Sequence, residues 1–214
     1  MKETMTVHKA LSELKILSNR IENKINSTTF VVTNKHSNTK ISGEPVNEYC
    51  RQMKEEYQSI RTLIARRNAI KRAVIRSNAV TKVMVAGVEL TVAEAIDMKT
   101  AGMEFVDSLK NKLAYQLNLA KNRADMENEK LVDRTDNYMK TMYASTDLKN
   151  MSEEMQKVRD NFVTSQTFEI VDPIGVAQEV NELTEQIDAF MSEVDSALSV
   201  SNALTTVEVE YDTF

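Results

Sequence analysis

Ser77-Asn78-Ala79-Val80-Thr81-Lys82-Val83-Met84-Val85 returns 124 residues later as Ser201-Asn202-Ala203-Leu204-Thr205-Thr206-Val207-Glu208-Val209. Each copy follows a long helical pattern and opens a β-branched run, so the chain reads as a duplicated unit in which a helix passes into a strand. The asparagines suit helix termini, because Asn tolerates the left-handed backbone that ends many helices. The phrase is architectural and carries no catalytic group.

Working outward, Val80 to Val85 should be a strand and Ala86-Gly87 a turn, with a helix opening at Thr91-Val92-Ala93-Glu94, which has the spacing of a capping box. Ile96, Met103, Val106, Leu113, Leu117, Ala124 and Leu131 keep that helix in register to about Tyr143, with Gly102 the place for a break. Its stretch Lys121 to Tyr143 is highly charged with a thin apolar stripe, which points to a helix that projects into solvent or packs on another subunit. Upstream, Val7, Leu11, Leu14, Ile21 and Ile25 give a first helix from about Met5 to Asn26, and Thr28 to Thr33 reads as a strand. A loop then runs to Pro45, where a second helix begins that continues to about Ser77 on Tyr49, Met53, Ile60, Leu63, Ile70 and Val74. Downstream, a short helix about Ser152 to Asn161 precedes a β-prone segment, Phe162 to Val171, and a turn at Asp172-Pro173-Ile174-Gly175. The last helix carries Val176, Val180, Leu183, Ile187, Phe190, Val194 and Leu198 at nearly unbroken 4-3 spacing, and Thr205 to Tyr211 alternates like a strand with one exposed face.

The expected fold class is therefore mainly α with a small β component. It has long antiparallel helices with coiled-coil-like seams and one small sheet built from residues near 29–33, 80–85, 163–171 and 204–211. Four glycines, two prolines and 6% aromatic residues supply too little turn chemistry for an all-β fold. One domain over 1–214 is expected, with a projecting helical region at about 110–150 and an oligomer or core seam on Val180, Leu183, Ile187, Phe190 and Val194. A single cysteine, Cys50, rules out an internal disulfide and suits a reducing compartment. The N-terminus has no signal-like apolar core, and no stretch approaches the roughly 20 apolar residues of a membrane span. The expected location is a host cytoplasm or a particle assembled there.

The stretch Arg76 to Ile96, RSNAVTKVMVAGVELTVAEAI, resembles the central signature of the septicolysin-like family of bacterial and prophage proteins. The matching positions are Arg76, Asn78, Thr81, Gly87, Leu90, Thr91 and Ala95, and the first helix is also similar at Ala10-Leu11, Arg20 and Ile21. Beyond about residue 110 the chain departs from the shorter members. Its ending looks more like proteins encoded in phages and prophages of Gram-positive bacteria. The resemblance implies a helical, oligomeric protein and names no reaction.

Chemistry-bearing residues are few. Between Tyr57 and Val88 lie seven basic residues and no acidic one, so that, with a net charge of −5, the rest of the chain carries −12. At 100° per residue Arg61, Arg72 and Arg76 fall within about 60°, a strip suited to a phosphate or to the acidic remainder of the protein. Arg67 sits inside the apolar stripe and should be answered by Glu56 or by a partner helix. Asn78 and Lys82 complete a candidate anion-binding set, although Asn78 and Asn202 read first as helix-ending residues. The two histidines, His8 and His36, have no partners at metal-ligand spacing, and no phosphate loop, nucleophile elbow or HExxH is present. No cofactor is implied, and the net negative charge argues against broad nucleic-acid binding. The leading expectation is a non-enzymatic phage or prophage protein acting through homo-oligomeric assembly, as a virion or accessory component, with other phage proteins as its candidate partners. The alternative is an oligomeric binder that sequesters an anionic nucleotide, such as a host immune signal.

Overall fold

The computed structural model describes residues 1–144 and 151–213. The protein is mainly helical with short antiparallel strands, and it divides into two compact units, Met1–Ala101 with Ala189–Phe214, and Gly102–Asp188. Residues 145–150 of the expected projecting region lie outside the described residues.

The first unit begins with β1 (Lys2–Thr6), which the first-helix reading had absorbed, followed by α1 (Val7–Ser27). A two-residue pairing of β2 (Lys40–Ile41) with β3 (Glu44–Pro45) precedes the 35-residue α2 (Val46–Val80). Then come β4 (Lys82–Val85), β5 (Val88–Thr91) and α3 (Val92–Asp97). Thr91 and Glu94 form the expected capping box, with both hydrogen bonds present. The backbone does not break at Gly102; the helix widens into a π-helical turn over Met98–Gly102. The unit is completed by the end of α6 (Val176–Leu204) and by β6 (Thr206–Glu210).

The duplication is visible in detail. Thr81 donates its N–H to the Ser77 carbonyl at 2.8 Å, and Thr205 donates to Ser201 at 2.9 Å, closing α2 and α6 in the same way. Thr81 is extended, at φ −74°, and the non-glycine residues with positive φ are Ser42, Ala86 and Ala144. The expectation for Asn78 and Asn202 is thus corrected: both lie inside the last helical turn, and the helices end two or three residues later in extended threonines. A second repeated phrase continues the unit. Thr6-Val7-His8-Lys9-Ala10 opens α1, and Thr91-Val92-Ala93-Glu94-Ala95 opens α3. Both threonines have φ −69° and ψ 154° and cap the amide three residues on. Val7 and Val92 donate to the carbonyls of Thr205 and Thr81, and Val7, Ala10, Val92 and Ala95 are all buried.

Each copy is therefore a helix, two paired strands and a second helix. In one copy β4 and β5 are joined by Ala86-Gly87, with Val85 opposite Val88. In the other, β6 pairs with β1 from the far end of the chain, from Lys2 opposite Glu210 to Thr6 opposite Thr206. The supports are exchanged. Although α2 leads into β4, it packs in one core with β1, α1 and β6, where Met5, Val7, Leu17, Ile70, Val74 and Val209 are buried. Each such aliphatic side chain stabilises the fold by about 1.5–3 kcal/mol. Similarly α6 leads into β6 but is tied to the other copy: the Ala86 N–H donates to the Glu193 carboxylate at 2.7 Å, and Lys99 pairs with Asp195. On α1 the buried stripe is Val7, Ala10, Leu14, Leu17 and Ile21, whereas Leu11 and Ile25 of the expected seam are exposed.

The second unit holds α4 (Met103–Tyr143), which ends where the pattern predicted, together with α5 (Glu153–Gln166) and the start of α6. Stacking of Tyr138 on Phe162 at 4.2 Å, with Asn128 hydrogen-bonded to both backbone polar groups of Phe168, sets α4 and α5 antiparallel. Two strand expectations are corrected. Residues 28–33 form no strand, and residues 163–166 belong to α5 with 167–171 irregular. The single expected sheet is instead three separate strand pairs. In α6, Val180, Leu183 and Ile187 are half-buried and Phe190 and Val194 fully buried.

Candidate functional site

The basic residues of α2 are divided by their surroundings. Arg66, which the sequence did not single out, is the answered one: Nε and Nη2 donate to both oxygens of Glu3 at 3.0 and 3.1 Å, and Nη2 donates to Glu13 at 2.7 Å. Burial works against its charge, but these carboxylates hold the guanidinium pKa above its ordinary value. Glu56, the expected answer to Arg67, pairs with Lys24 at 2.8 Å. Arg67 is half-buried and reaches only the side chain of its neighbour Asn68.

Arg72 and Arg76 line a groove of about 840 Å³ between the C-terminal half of α2 and β6. Arg67, Lys71 and Arg72 line a second groove of about 680 Å³ beside Glu210 and Tyr211. Among the described residues neither Arg72 nor Arg76 forms an ion pair. The larger groove is also lined by Ser77, Thr81, Thr205 and Thr206, of which Thr81 and Thr205 are equivalent positions of the two copies. Ser77 Oγ and Thr81 Oγ1 lie 3.3 Å apart.

Three members of the sequence-derived set fall elsewhere. Arg61 stacks over the Tyr57 ring at 5.9 Å, more than two turns before Arg72. Lys82 is an exposed residue of β4, paired with Glu89, which raises its pKa above the ordinary 10.5. Asn78 is half-buried and does not line the groove.

The repeat supplies an internal comparison. Placing Ser77 on Ser201 sets Arg67 on Met191, Lys71 on Asp195, Arg72 on Ser196 and Arg76 on Val200, and Arg61 on Glu185. The second copy completes the same helix end and strand without any of these cations. The turn itself therefore does not require them, a distinction that shows in the sequence only when the repeat is extended from the Ser-Asn-Ala phrase back through the helix before it.

Among the described residues no three His, Cys, Asp or Glu side chains gather to hold a metal ion, and no buried side-chain polar atom is left without a partner. No helix is long and apolar enough to cross a membrane. No family model, curated protein or solved structure matches the chain.

Proposed function

We propose that the protein is a non-enzymatic binder that holds a phosphate-bearing small molecule in the groove between α2 and β6, working as a homo-oligomeric accessory protein of phage or prophage type. One observation carries this reading: Arg72 and Arg76 are unpaired over a hydroxyl-lined groove, and the equivalent helix of the repeat folds with serine and valine in their places. Guanidinium groups free to form paired hydrogen bonds suit phosphate oxygens. The phage assignment rests on the resemblance of the chain's ending. Sequestering a nucleotide signal fits a protein that offers binding groups without catalytic ones.

The test is native mass spectrometry of protein purified from producing cells, compared with the Arg72→Ala/Arg76→Ala double variant. Wild type should carry added mass of nucleotide size, and the variant should have the same oligomeric mass without it. Bare wild-type protein, together with no uptake of added pyrophosphate, would overturn the reading.

A second reading, a purely structural assembly protein, is favoured by α4. Phe105, Leu109, Tyr115, Leu119 and Met126 are exposed on one side of it, Phe105 at 77%. At 100° per residue they span a stripe about 120° wide, a face suited to another helix. The two readings are compatible if the oligomer presents the groove, and the double variant separates them because assembly would survive it.

A further inference from the structure

The groove is not uniformly basic, and its polarity is ordered along its length. Thr205 and Thr206 share the larger groove with Ser77, Val80 and Thr81 at the end of α2, whereas Glu210, Tyr211 and Asp212 share the smaller one with Ala65, Asn68 and Arg72. β6 therefore runs antiparallel to α2. One end of the groove pairs Arg76 with four hydroxyls, and the other brings in the carboxylates of Glu208 and Glu210. These two face outward because the strand alternates, with Val207 and Val209 turned into the core. Lys2 closes on Glu208 at 3.0 Å. Glu210 stands opposite Lys2 across the β1–β6 pair and adds to the field that raises the Lys2 pKa, but among the described residues it forms no ion pair, and it lines both grooves.

With Lys2 held by Glu208, the oxygens of Glu210 are left to accept hydrogen bonds; such a carboxylate beside an anion site repels a bare phosphate and favours a ligand that brings hydrogen-bond donors to that end. A ribose offers two adjacent hydroxyls that one carboxylate can accept together. Building on the phosphate-binding reading, we propose that the ligand is a ribonucleotide, with its phosphate at Arg76 and the hydroxyl-lined end and its ribose diol at Glu210. The groove volume of about 840 Å³ accommodates a ligand of that size. Glu210 is then a specificity-determining residue: it distinguishes a ribonucleotide from a deoxyribonucleotide and from inorganic phosphate. A hydrogen bond to a charged acceptor that the wrong ligand leaves unmade changes affinity by roughly tenfold or more.

The experiment is isothermal titration of the intact oligomer with four probes, AMP, 2′-deoxy-AMP, 3′-deoxy-AMP and pyrophosphate, in wild type and in the Glu210→Gln variant. AMP should bind wild type about tenfold or more tightly than either deoxy form. In Glu210→Gln that ratio should fall to about threefold or less, with pyrophosphate binding unchanged or tighter. Equal binding of AMP and its deoxy forms to wild type overturns the inference and leaves the phosphate reading standing. So does a Glu210→Gln variant that binds every probe more tightly with the ratio unchanged, since Glu210 would then act only as a counter-charge to Arg72. Failure of all four probes to bind overturns both. Glu210 is exposed on β6, so the substitution leaves the core intact, and an unchanged oligomeric mass and thermal midpoint confirm that the variant is folded.

Discussion

Arg66 and Arg67 are neighbours in the chain with opposite surroundings. The apolar periodicity drew attention to Arg67, because a charge within a buried stripe must be compensated. The compensated residue is one position earlier: Arg66 is clamped by Glu3 from β1 and Glu13 from α1, with side chains 28%, 31% and 22% exposed. Those two carboxylates are 53 and 63 residues away in sequence, and no local pattern reveals them. Replacing Arg66 with alanine leaves two half-buried carboxylates facing each other and should cost about 1–3 kcal/mol. Arg67→Ala removes no carboxylate contact and should cost under about 0.5 kcal/mol. Urea denaturation of both variants measures the difference. Equal midpoint shifts would mean that the Arg66 cluster contributes no more than an ordinary surface charge.

At the scale of elements, legibility followed how local the determining interaction is. The capping box of α3 was readable because all its partners lie within four residues. The Thr91 backbone N–H donates to Glu94 at 2.7 Å, and Glu94 N–H donates back to Thr91 Oγ1 at 3.2 Å. Residues 28–33 and 163–171 were misread because β-propensity reports a fit to a half-buried pleated surface, and neither segment has a neighbouring strand here. Val31 is left 83% exposed. β1 went unseen because Met5 and Val7 serve a strand and a helix on either side of the Thr6 cap. The capping box also sets a pH dependence. The Thr91 amide, then the Thr91 hydroxyl, holds the Glu94 carboxyl below its ordinary value of 4.5. A carboxyl depressed on folding adds stability that is fully present above the unfolded value and lost as pH falls through the folded one. The gap in urea midpoint between wild type and Glu94→Ala should therefore be widest near neutrality and shrink below about pH 4.5. A gap that stays constant down to pH 3 would show that the carboxylate charge contributes nothing to the cap.

For the whole molecule, the decisive feature is that the first unit is one motif built twice, with α2 packed against the β1–β6 pair that α6 feeds and α6 tied to the other copy through Glu193 and Asp195. The sequence disclosed half of this through the repeated Ser-Asn-Ala phrase. The Thr-Val-x-x-Ala phrase that completes it was present at 6–10 and 91–95, but it precedes one copy of the first phrase and follows the other, so a linear scan does not join them. Only strand pairing shows that β6 and β1 stand to each other as β4 and β5 do. The basic strip was legible as a composition bias, but its split into the Arg66 clamp, the Arg72 and Arg76 groove and the distant Arg61 depends on β1 and β6 arriving from opposite ends of the chain. This symmetry makes a strong claim. By register, Val209 corresponds to Val85 and Glu3 to Val88, so an Ala-Gly pair should be able to connect Val209 to Glu3 as Ala86-Gly87 connects Val85 to Val88. A circular permutant joined in this way, and opened between Ala86 and Gly87, keeps every fully buried residue, the β4–β5 register and four of the five β1–β6 pairs, and loses Lys2, Glu210 and Tyr211. It exchanges one two-residue turn for another, so loop closure costs nearly the same. It should fold with a urea midpoint within about 1 kcal/mol of wild type, because the new chain ends fall at an exposed hairpin tip. It should still take up pyrophosphate, since Arg72 and Arg76 stay in place, but it should no longer prefer AMP to its deoxy forms, because the join removes Glu210. A permutant that is unfolded would show that the β1–β6 pair depends on Met1 and Tyr211, whose mutual backbone hydrogen bonds the new loop removes, and that the two copies are alike in geometry but not in stability.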